Sequence, residues 1–282
     1  MRIAITGANG QLGRELCRQF GTAAIGLDLP GIDITVEKQV IEEFSRLRPT
    51  AIINCAAYTL VDKAEREPEI CFAVNADGVR NVVEAARRAN CPLVQISTDY
   101  VFGGDVSRRQ SYAEDDPPAP QGAYARTKLE GERQAAAWDK HFIVRTGGLY
   151  GPTPVGNNFV DTMLRLSNQR PEIRVVDDQH CAPTYVVHLA RAVRFLLDTS
   201  AFGTYHVVSA GSTTWYRFAQ EIFRYTGRDV ILKPITTQEY GAAAPRPAYC
   251  VLDTAKYQSL GGPPMPEWKD ALREYLQTRQ AP

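Results

Sequence analysis

A tyrosine and a lysine stand four residues apart in the stretch Tyr124-Ala-Arg-Thr-Lys128. At this spacing in a helix, the two side chains lie one turn apart on the same face. A free phenol has a pKa of about 10, and a neighbouring ammonium stabilises the phenolate and lowers that value. The pair is therefore predicted to protonate a carbonyl oxygen during reduction. Because the spacing also occurs by chance in many helices, the prediction needs support from elsewhere in the chain.

That support comes from glycines at positions 7, 10 and 13, which follow directly on the first apolar run. Such a loop turns a strand sharply into a helix and lets the backbone approach a diphosphate. The start of the helix, at Gln11 and Leu12, then offers backbone N–H groups and a positive dipole end to an anion. A tight turn without a ligand is the alternative, but the position after the first strand of an alternating pattern favours a dinucleotide.

Asp28 ends the second predicted strand, 21 residues after Gly7. An acidic side chain there accepts hydrogen bonds from the adenosine ribose, which favours NADH. The carboxylate would also repel the extra phosphate of NADPH, although Arg14 partly offsets this repulsion. Asp33 and Ile34 are predicted to lie at the edge of the adenine. The segment after the third strand leaves room for the cofactor and is predicted to line its site, at Ala56, Ala57 and Tyr58.

Short apolar runs alternate with helical stretches through the first half of the chain. The apolar runs show no polar alternation, as expected for strands that are covered on both faces. They lie at Arg2 to Thr6, Ala24 to Asp28, Ala51 to Asn54, Leu93 to Ser97 and Phe142 to Thr146. Apolar residues at helical spacing lie between them, at Gln11 to Phe20, Val36 to Leu47, Glu69 to Ala89 and Ala123 to Trp138. This order predicts an α/β protein with a Rossmann-type, doubly wound parallel sheet. Thr98 would then lie at the carboxyl edge of the sheet, beside the nicotinamide end of the cofactor.

The regular alternation of predicted strands and helices ends after about residue 150, where strand-like segments become short. Residues 1–150 are predicted to form the dinucleotide-binding domain, and residues 151–282 mainly a smaller α+β substrate-binding lobe. Segments from about 178–208 are predicted to return to the sheet. We expect the smaller lobe to lie over the carboxyl ends of the strands.

Composition excludes several classes of function. Lys and Arg balance Asp and Glu at 32 each, so the net charge of zero favours a small-molecule partner over nucleic acid or an anionic membrane. The six cysteines are spread singly, without metal-knuckle or redox spacing, and are expected to be reduced thiols. No apolar run approaches 18 residues. We therefore expect a cytoplasmic protein without a metal in its active site, and the use of a divalent metal at a subunit contact stays open. The oligomeric state is not fixed by the sequence, and a homodimer is kept as one alternative.

Motifs along nearly the whole chain resemble a known family. The glycine loop, the Ser97-Thr98 strand end and the Tyr124–Lys128 pair resemble the extended short-chain dehydrogenase/reductase superfamily. More specific blocks resemble the dTDP-4-dehydrorhamnose reductase family, namely Val61-Asp-Lys-Ala-Glu65, Ser97-Thr-Asp-Tyr-Val-Phe102, Gly156-Asn-Asn-Phe159, Asp178-Gln179 and Gly203-Thr-Tyr-His206.

The resemblance implies reduction of the 4-keto group of dTDP-4-dehydro-6-deoxy-L-mannose to dTDP-L-rhamnose, with hydride from NADH or NADPH. It implies that Tyr124 protonates the carbonyl oxygen, that Lys128 tunes Tyr124 and binds the nicotinamide ribose, and that Thr98 hydrogen-bonds the same oxygen. The substrate is a nucleotide sugar, so its diphosphate needs hydrogen-bond donors. Candidate substrate-binding residues are Thr98, Tyr100, Phe102, Asn157, Asn158 and Arg246.

One departure from the family pattern affects the substrate. The family is expected to read Arg-Thr-Ser-Trp after the fifth strand, but this chain reads Arg145-Thr-Gly-Gly148. Loss of a large ring reshapes the wall near the sugar, so the identity of the sugar and its stereochemistry at carbon 4 stay open. Alternatives are another nucleotide-sugar reductase, a 4-epimerase of the same superfamily, and a non-catalytic dinucleotide-binding subunit like the regulatory subunit of methionine adenosyltransferase.

Overall fold

Six parallel strands form the central sheet of the computed structural model, which describes residues 2–152 and 158–280. The strands within these described residues are β1 (Ile3–Thr6), β2 (Ala24–Leu27), β3 (Ala51–Asn54), β4 (Leu93–Thr98), β5 (His141–Thr146), β6 (Leu149–Tyr150), β7 (Glu172–Val176), β8 (His180–Cys181), β9 (Thr184–Tyr185), β10 (Gly203–His206), β11 (Thr213–Thr214) and β12 (Ile231–Ile235). The sheet has the order β2-β1-β3-β4-β5-β10, and every neighbouring pair runs parallel. The predicted doubly wound parallel sheet is confirmed.

Helices cover both faces of this sheet. They are α1 (Gln11–Phe20), α2 (Glu37–Leu47), α3 (Val61–Ala64), α4 (Pro68–Phe72), α5 (Gly78–Ala89), α6 (Gly122–Ala136), α7 (Phe159–Ser167), α8 (Val186–Asp198), α9 (Trp215–Thr226), α10 (Thr237–Tyr240), α11 (Ala255–Ser259) and α12 (Trp268–Gln280). Side chains alternate across the strands, so Ile3 and Ile5 pack with α1 and α8, whereas Ala4 packs with α2 and α5. This alternation produces two separate hydrophobic layers.

The predicted helix over Glu69 to Ala89 is interrupted. A π-helical turn at Ala73–Asp77 separates α4 from α5. The turn holds the buried side chain of Asn75, which accepts a hydrogen bond from the Tyr58 backbone N–H at 2.9 Å and donates one to the Thr127 hydroxyl at 3.2 Å. The π-helical turn thus places Asn75 so that its side chain connects the loop around Tyr58 to Thr127 on α6.

Parts of the second half return to the sheet. Strand β10 pairs with β5, and α8 packs against α1. The remaining strands form two-stranded pairs, β11 with β8, β12 with β7 and β6 with β9. The division of the chain into lobes at residue 150 stays a prediction. No helix within residues 2–152 and 158–280 has both the length and the apolar character needed to cross a membrane.

Candidate active site

A cleft of about 920 Å³ opens along the carboxyl ends of the sheet strands. It crosses the point where the strand order reverses, between β1 and β3, which is where open α/β sheets bind ligands. Its size lies within the range of roughly 300–1,000 Å³ that is typical of small-molecule sites. All of the predicted cofactor-binding residues line it, at Gly7, Gly10, Gln11, Leu12, Gly13, Asp28, Asp33, Ile34, Ala56, Ala57, Tyr58, Tyr124 and Lys128.

The glycine loop follows β1 closely and leaves no space for side chains. Gly7 has φ +66°, and a Cβ there would lie 2.6 Å from the Ala56 backbone nitrogen. A Cβ on Gly13 would collide with the Gly7 carbonyl oxygen. Gly10 caps α1 without a side-chain hydrogen bond. The first turn of α1 therefore keeps its backbone donors and its positive dipole end for an anion, which fits a diphosphate.

The far end of the cleft carries a carboxylate. Asp28 accepts hydrogen bonds from the backbone N–H groups of Asn9 at 2.7 Å and Leu29 at 2.8 Å, so its side chain is fixed beside the loop. The exposed Arg14 donates its Nε hydrogen to the Asn9 carbonyl oxygen at 2.8 Å. One acid and one cation thus flank the place where the position of Asp28 predicts the adenosine ribose, and together with the loop they fit a dinucleotide.

Helix α6 brings Tyr124 and Lys128 to the other end of the cleft. The Lys128 ammonium is buried and donates a hydrogen bond to the Ile96 carbonyl oxygen at 2.7 Å, beneath the end of β4. An ammonium has three donors, so two remain for other groups. Burial lowers the pKa of Lys128 to about 8, and the Glu132 carboxylate opposes this shift. The side chain is therefore still largely protonated at neutral pH.

The pKa of Tyr124 moves in the direction opposite to the one expected. Burial raises it to about 12, the neighbouring Thr98 hydroxyl lowers it, and Asp99 and Cys71 add to the rise. Lys128 is not among the groups that lower the pKa of Tyr124. At neutral pH the Tyr124 hydroxyl therefore carries the proton that it would donate, but the raised pKa makes it a weaker acid than a free phenol.

Thr98 lies at the end of β4, as predicted, and lines the cleft. Its hydroxyl accepts a hydrogen bond from the Tyr100 backbone N–H at 3.1 Å and donates one to Asp99 Oδ1 at 3.2 Å. The second distance is long for an O–H···O bond, so the hydroxyl can turn toward another acceptor in the cleft. Tyr100 also lines the cleft and meets the Tyr124 ring edge-on, with 6.0 Å between ring centroids.

Two predicted substrate residues do not reach the cleft. Phe102 is fully buried, stacked on Tyr112 at 4.2 Å between ring centroids and lying 5.1 Å below the Arg145 guanidinium, so it belongs to the hydrophobic core. Arg246 does not line the cleft, and it donates to Asp62 Oδ2 at 2.8 Å and to the Ala244 carbonyl oxygen at 3.0 Å. Its guanidinium therefore secures a loop to α3.

Asn158 lines the cleft but its amide is already engaged. Its Oδ1 caps α7 by accepting from the Asp161 backbone N–H at 3.0 Å, and its Nδ2 donates to Asp161 Oδ2 at 2.8 Å. Nδ2 also lies 3.2 Å from Gln11 Oε1, which connects α7 to the phosphate loop. The neighbouring candidate Asn157 lies outside the described residues.

The match to known proteins extends over the whole chain. The model of the family described as "RmlD substrate binding domain" matches residues 1–281. The chain belongs to the dTDP-4-dehydrorhamnose reductase family. A dTDP-4-dehydrorhamnose reductase from Streptomyces griseus is 40% identical, over 97% of this chain and 92% of that protein. A solved Bacillus anthracis dTDP-4-dehydrorhamnose reductase in complex with NADP is 43% identical, with a TM-score of 0.94 over 98% of this chain and 99% of that one.

Family members also include a protein whose name gives a different sugar. A probable dTDP-4,6-dihydroxy-2-methyloxan-3-one 4-ketoreductase from Streptomyces antibioticus is 41% identical, over 97% of this chain and 94% of that protein. The relatives thus share reduction of a keto group on a dTDP-linked sugar, but they differ in the sugar that their names give. Within the described residues no cluster of three or more His, Cys, Asp or Glu side chains is placed to hold a metal ion.

Asp99 is a residue of the cleft that sequence reasoning did not select. Its carboxyl is buried, accepts a hydrogen bond from the Cys250 thiol at 3.1 Å, and fills the space next to Gly147, where a Cβ would lie 2.6 Å from Oδ1. Burial raises its pKa to about 6, against opposition from the Cys250 and Thr98 hydrogen bonds. Its position directly after Thr98 was the available signal, but the burial depends on the absence of a side chain at Gly147.

Asp99→Asn tests this burial. The folded-state pKa of about 6 exceeds the ordinary value of 3.8. As the pH rises above 3.8, Asp99 loses its proton in the unfolded chain before it does so in the folded protein, and this favours the unfolded state. Relative to the Asn variant, the wild type should lose roughly 3 kcal/mol of unfolding free energy between about pH 4 and pH 6, and nothing more above that. Urea unfolding of both proteins at several pH values measures the difference. His206, whose pKa is lowered to about 4, titrates in both proteins and cancels. If the difference in unfolding free energy between the two proteins does not vary with pH, the raised pKa of the buried Asp99 carboxyl is wrong.

Proposed function

We propose that this protein is an NAD(P)H-dependent reductase of the 4-keto group of dTDP-4-dehydro-6-deoxy-L-mannose, yielding dTDP-L-rhamnose. The observation that carries the proposal is the arrangement of one cleft, with the phosphate loop and Asp28 at one end and Tyr124, Lys128 and Thr98 at the other. Membership of the dTDP-4-dehydrorhamnose reductase family supports the choice of reaction. A cytoplasmic location is part of the proposal, supported by six cysteines that are free thiols.

The proposed chemistry assigns one task to each side chain. The cofactor, when bound, supplies the hydride. Tyr124 donates its hydroxyl proton to the substrate oxygen, since an alkoxide is far more basic than a phenolate with a pKa of about 12. Lys128 uses its free donors to hold the ribose and to stabilise the phenolate that forms. Thr98 turns its weakly held hydroxyl from Asp99 toward the same oxygen and orients it.

A turnover experiment tests the function. The purified protein is incubated with dTDP-4-dehydro-6-deoxy-L-mannose and NADH, the loss of nicotinamide absorbance is followed, and the product sugar is identified. We expect stoichiometric consumption of NADH and formation of dTDP-L-rhamnose. An epimerase would change the sugar without net consumption of NADH, and a non-catalytic subunit would bind NADH without turnover. Either result rejects the proposal.

A reductase of a different 4-keto-6-deoxy sugar is the second candidate, favoured by the Gly147-Gly148 departure and by the Streptomyces antibioticus relative. The same assay with the C3 and C5 epimers of the substrate separates the two. The sugar with the highest kcat/KM is the preferred substrate.

The position of Asp28 leads to a prediction on cofactor choice. NADH should bind about fivefold more tightly than NADPH, because two like charges about 4 Å apart in water repel by roughly 1 kcal/mol. Asp28→Asn should remove this preference, whereas Arg14→Ala should increase it by weakening NADPH alone. Fluorescence titration of both cofactors against the three proteins measures the ratios. Equal affinities in the wild type would contradict the role of Asp28.

A further inference from the structure

An aromatic wall lines the cleft beside Gly148. Phe159, at the start of α7, and Trp215, at the start of α9, both line the cleft, and their ring centroids lie 4.8 Å apart. Both side chains are only half-buried, unlike Phe218, which supports them from below and is fully buried. Packing accounts for one side of the wall, and the other side faces the cleft.

Trp215 lies beside Gly148. This glycine has φ +56°, and a Cβ on it would lie 2.9 Å from Pro183 Cα and 3.4 Å from Cη2 of Trp215. No side chain can therefore stand at residue 148 without moving the backbone around Pro183. The family pattern expects a large aromatic ring at this position, whereas here an indole reaches the same stretch of cleft from a different element.

The chemistry of the wall differs from that of the rest of the site. Thr98, Tyr124 and Asp99 present polar groups, whereas Phe159 and Trp215 present ring faces and edges. The indole N–H of Trp215 forms no hydrogen bond with any residue in the part of the chain that the structure describes. An apolar surface with one free donor fits a sugar that combines hydroxyl groups with an apolar substituent.

We propose that Trp215 is a specificity-determining residue, which packs against the methyl group of a 6-deoxy sugar and discriminates against sugars that carry a hydroxyl on carbon 6. This inference rests on the proposed function, since that function makes the substrate a 4-keto-6-deoxy sugar. Burial of a methyl group against an aromatic wall is favourable, whereas a hydroxyl group there would lose its hydrogen bonds to water. Discrimination of this kind amounts to roughly 10- to 200-fold in enzymes.

Binding of stable sugar nucleotides tests the inference. The probes are dTDP-L-rhamnose, dTDP-L-mannose (the same sugar with a hydroxyl on carbon 6) and dTDP alone, titrated into wild type, Trp215→Ala and Trp215→Leu in the presence of NADH. Wild type should prefer dTDP-L-rhamnose over dTDP-L-mannose by about tenfold or more. Trp215→Ala should reduce that ratio to about twofold or less while dTDP affinity changes by less than about twofold. Trp215→Leu, which retains an apolar surface, should keep part of the preference and serves if the Ala variant does not fold.

The matched control is Tyr216→Ala. Tyr216 is the next residue of α9, equally half-buried, and does not line the cleft. It should leave the ratio unchanged. The inference is overturned if the wild type shows no preference, if Trp215→Ala keeps the wild-type ratio, or if it weakens dTDP and dTDP-L-rhamnose equally. Turnover of the 4-keto sugar by the wild type is measured in parallel, so that a failure of the reductase function is seen separately from a failure of the Trp215 assignment.

Discussion

Tyr124→Phe is expected to lower kcat by at least about 100-fold, the lower end of the effect of losing a general acid. The substitution removes only the hydroxyl, and the ring keeps its edge-on contact with Tyr100. NADH affinity should stay within about twofold of the wild type, because the phosphate loop and Asp28 are untouched. Stopped-flow reduction of the 4-keto sugar and fluorescence titration of NADH give the two quantities.

Lys128→Ala provides the contrast that identifies the role of Tyr124. The ammonium is proposed to serve both the phenol and the ribose, so its loss should weaken NADH binding as well as kcat. Tyr124→Phe and Lys128→Ala should therefore differ in cofactor affinity even where their rates are similarly low. Near-normal turnover by the Tyr124→Phe variant would mean that the proton comes from another group, and Asp99, whose carboxyl also lines the cleft, would be examined first.

The sheet could be predicted because its strands are covered on both faces. Runs such as Ile3–Thr6 and Ala51–Asn54 are completely buried, and continuous apolar sequence is the signature of that environment. The two-residue strands β6, β8, β9 and β11 were not predictable, because their pairing is decided by distant segments rather than by local pattern. The same applies to the π-helical turn, whose cause is the set of contacts made by Asn75.

The cofactor end of the site was predictable for a related reason. A glycine loop, an acid at the end of the second strand and a Tyr-Lys pair are local patterns that the parallel topology brings to one edge. The substrate end depends on packing across the molecule. Phe102 and Arg246 have suitable chemistry in sequence, but their environment turns one into core and pairs the other with Asp62. Asp99 is accommodated because Gly147 leaves space for its carboxyl, and Trp215 lies beside Gly148; no local pattern reveals either contact.

Glu132→Ala is expected to cost roughly 3–5 kcal/mol of unfolding free energy, because it leaves the Arg145 guanidinium buried without its partner. Glu132 lies on α6, one turn beyond Lys128, and Arg145 lies on β5; both side chains are almost fully buried. Nε and Nη2 of Arg145 bond the carboxylate at 3.0 and 2.8 Å, and the Ser97 hydroxyl donates to it at 2.5 Å. Breaking this pair should lower Tm by about 10 °C.

Two further variants separate loss of the pair from mere truncation of α6. The exposed pair between Arg133 and Glu130 lies on the same helix at 3.0 Å, and Glu130→Ala should cost less than about 1 kcal/mol, since exposed ion pairs contribute little. The double variant Glu132→Leu with Arg145→Met should be more stable than Glu132→Leu alone, because it leaves no unpaired buried charge. If the double variant is the less stable of the two, the destabilisation comes from lost packing. The pair would then position α6, and with it Tyr124 and Lys128, by shape and not by charge.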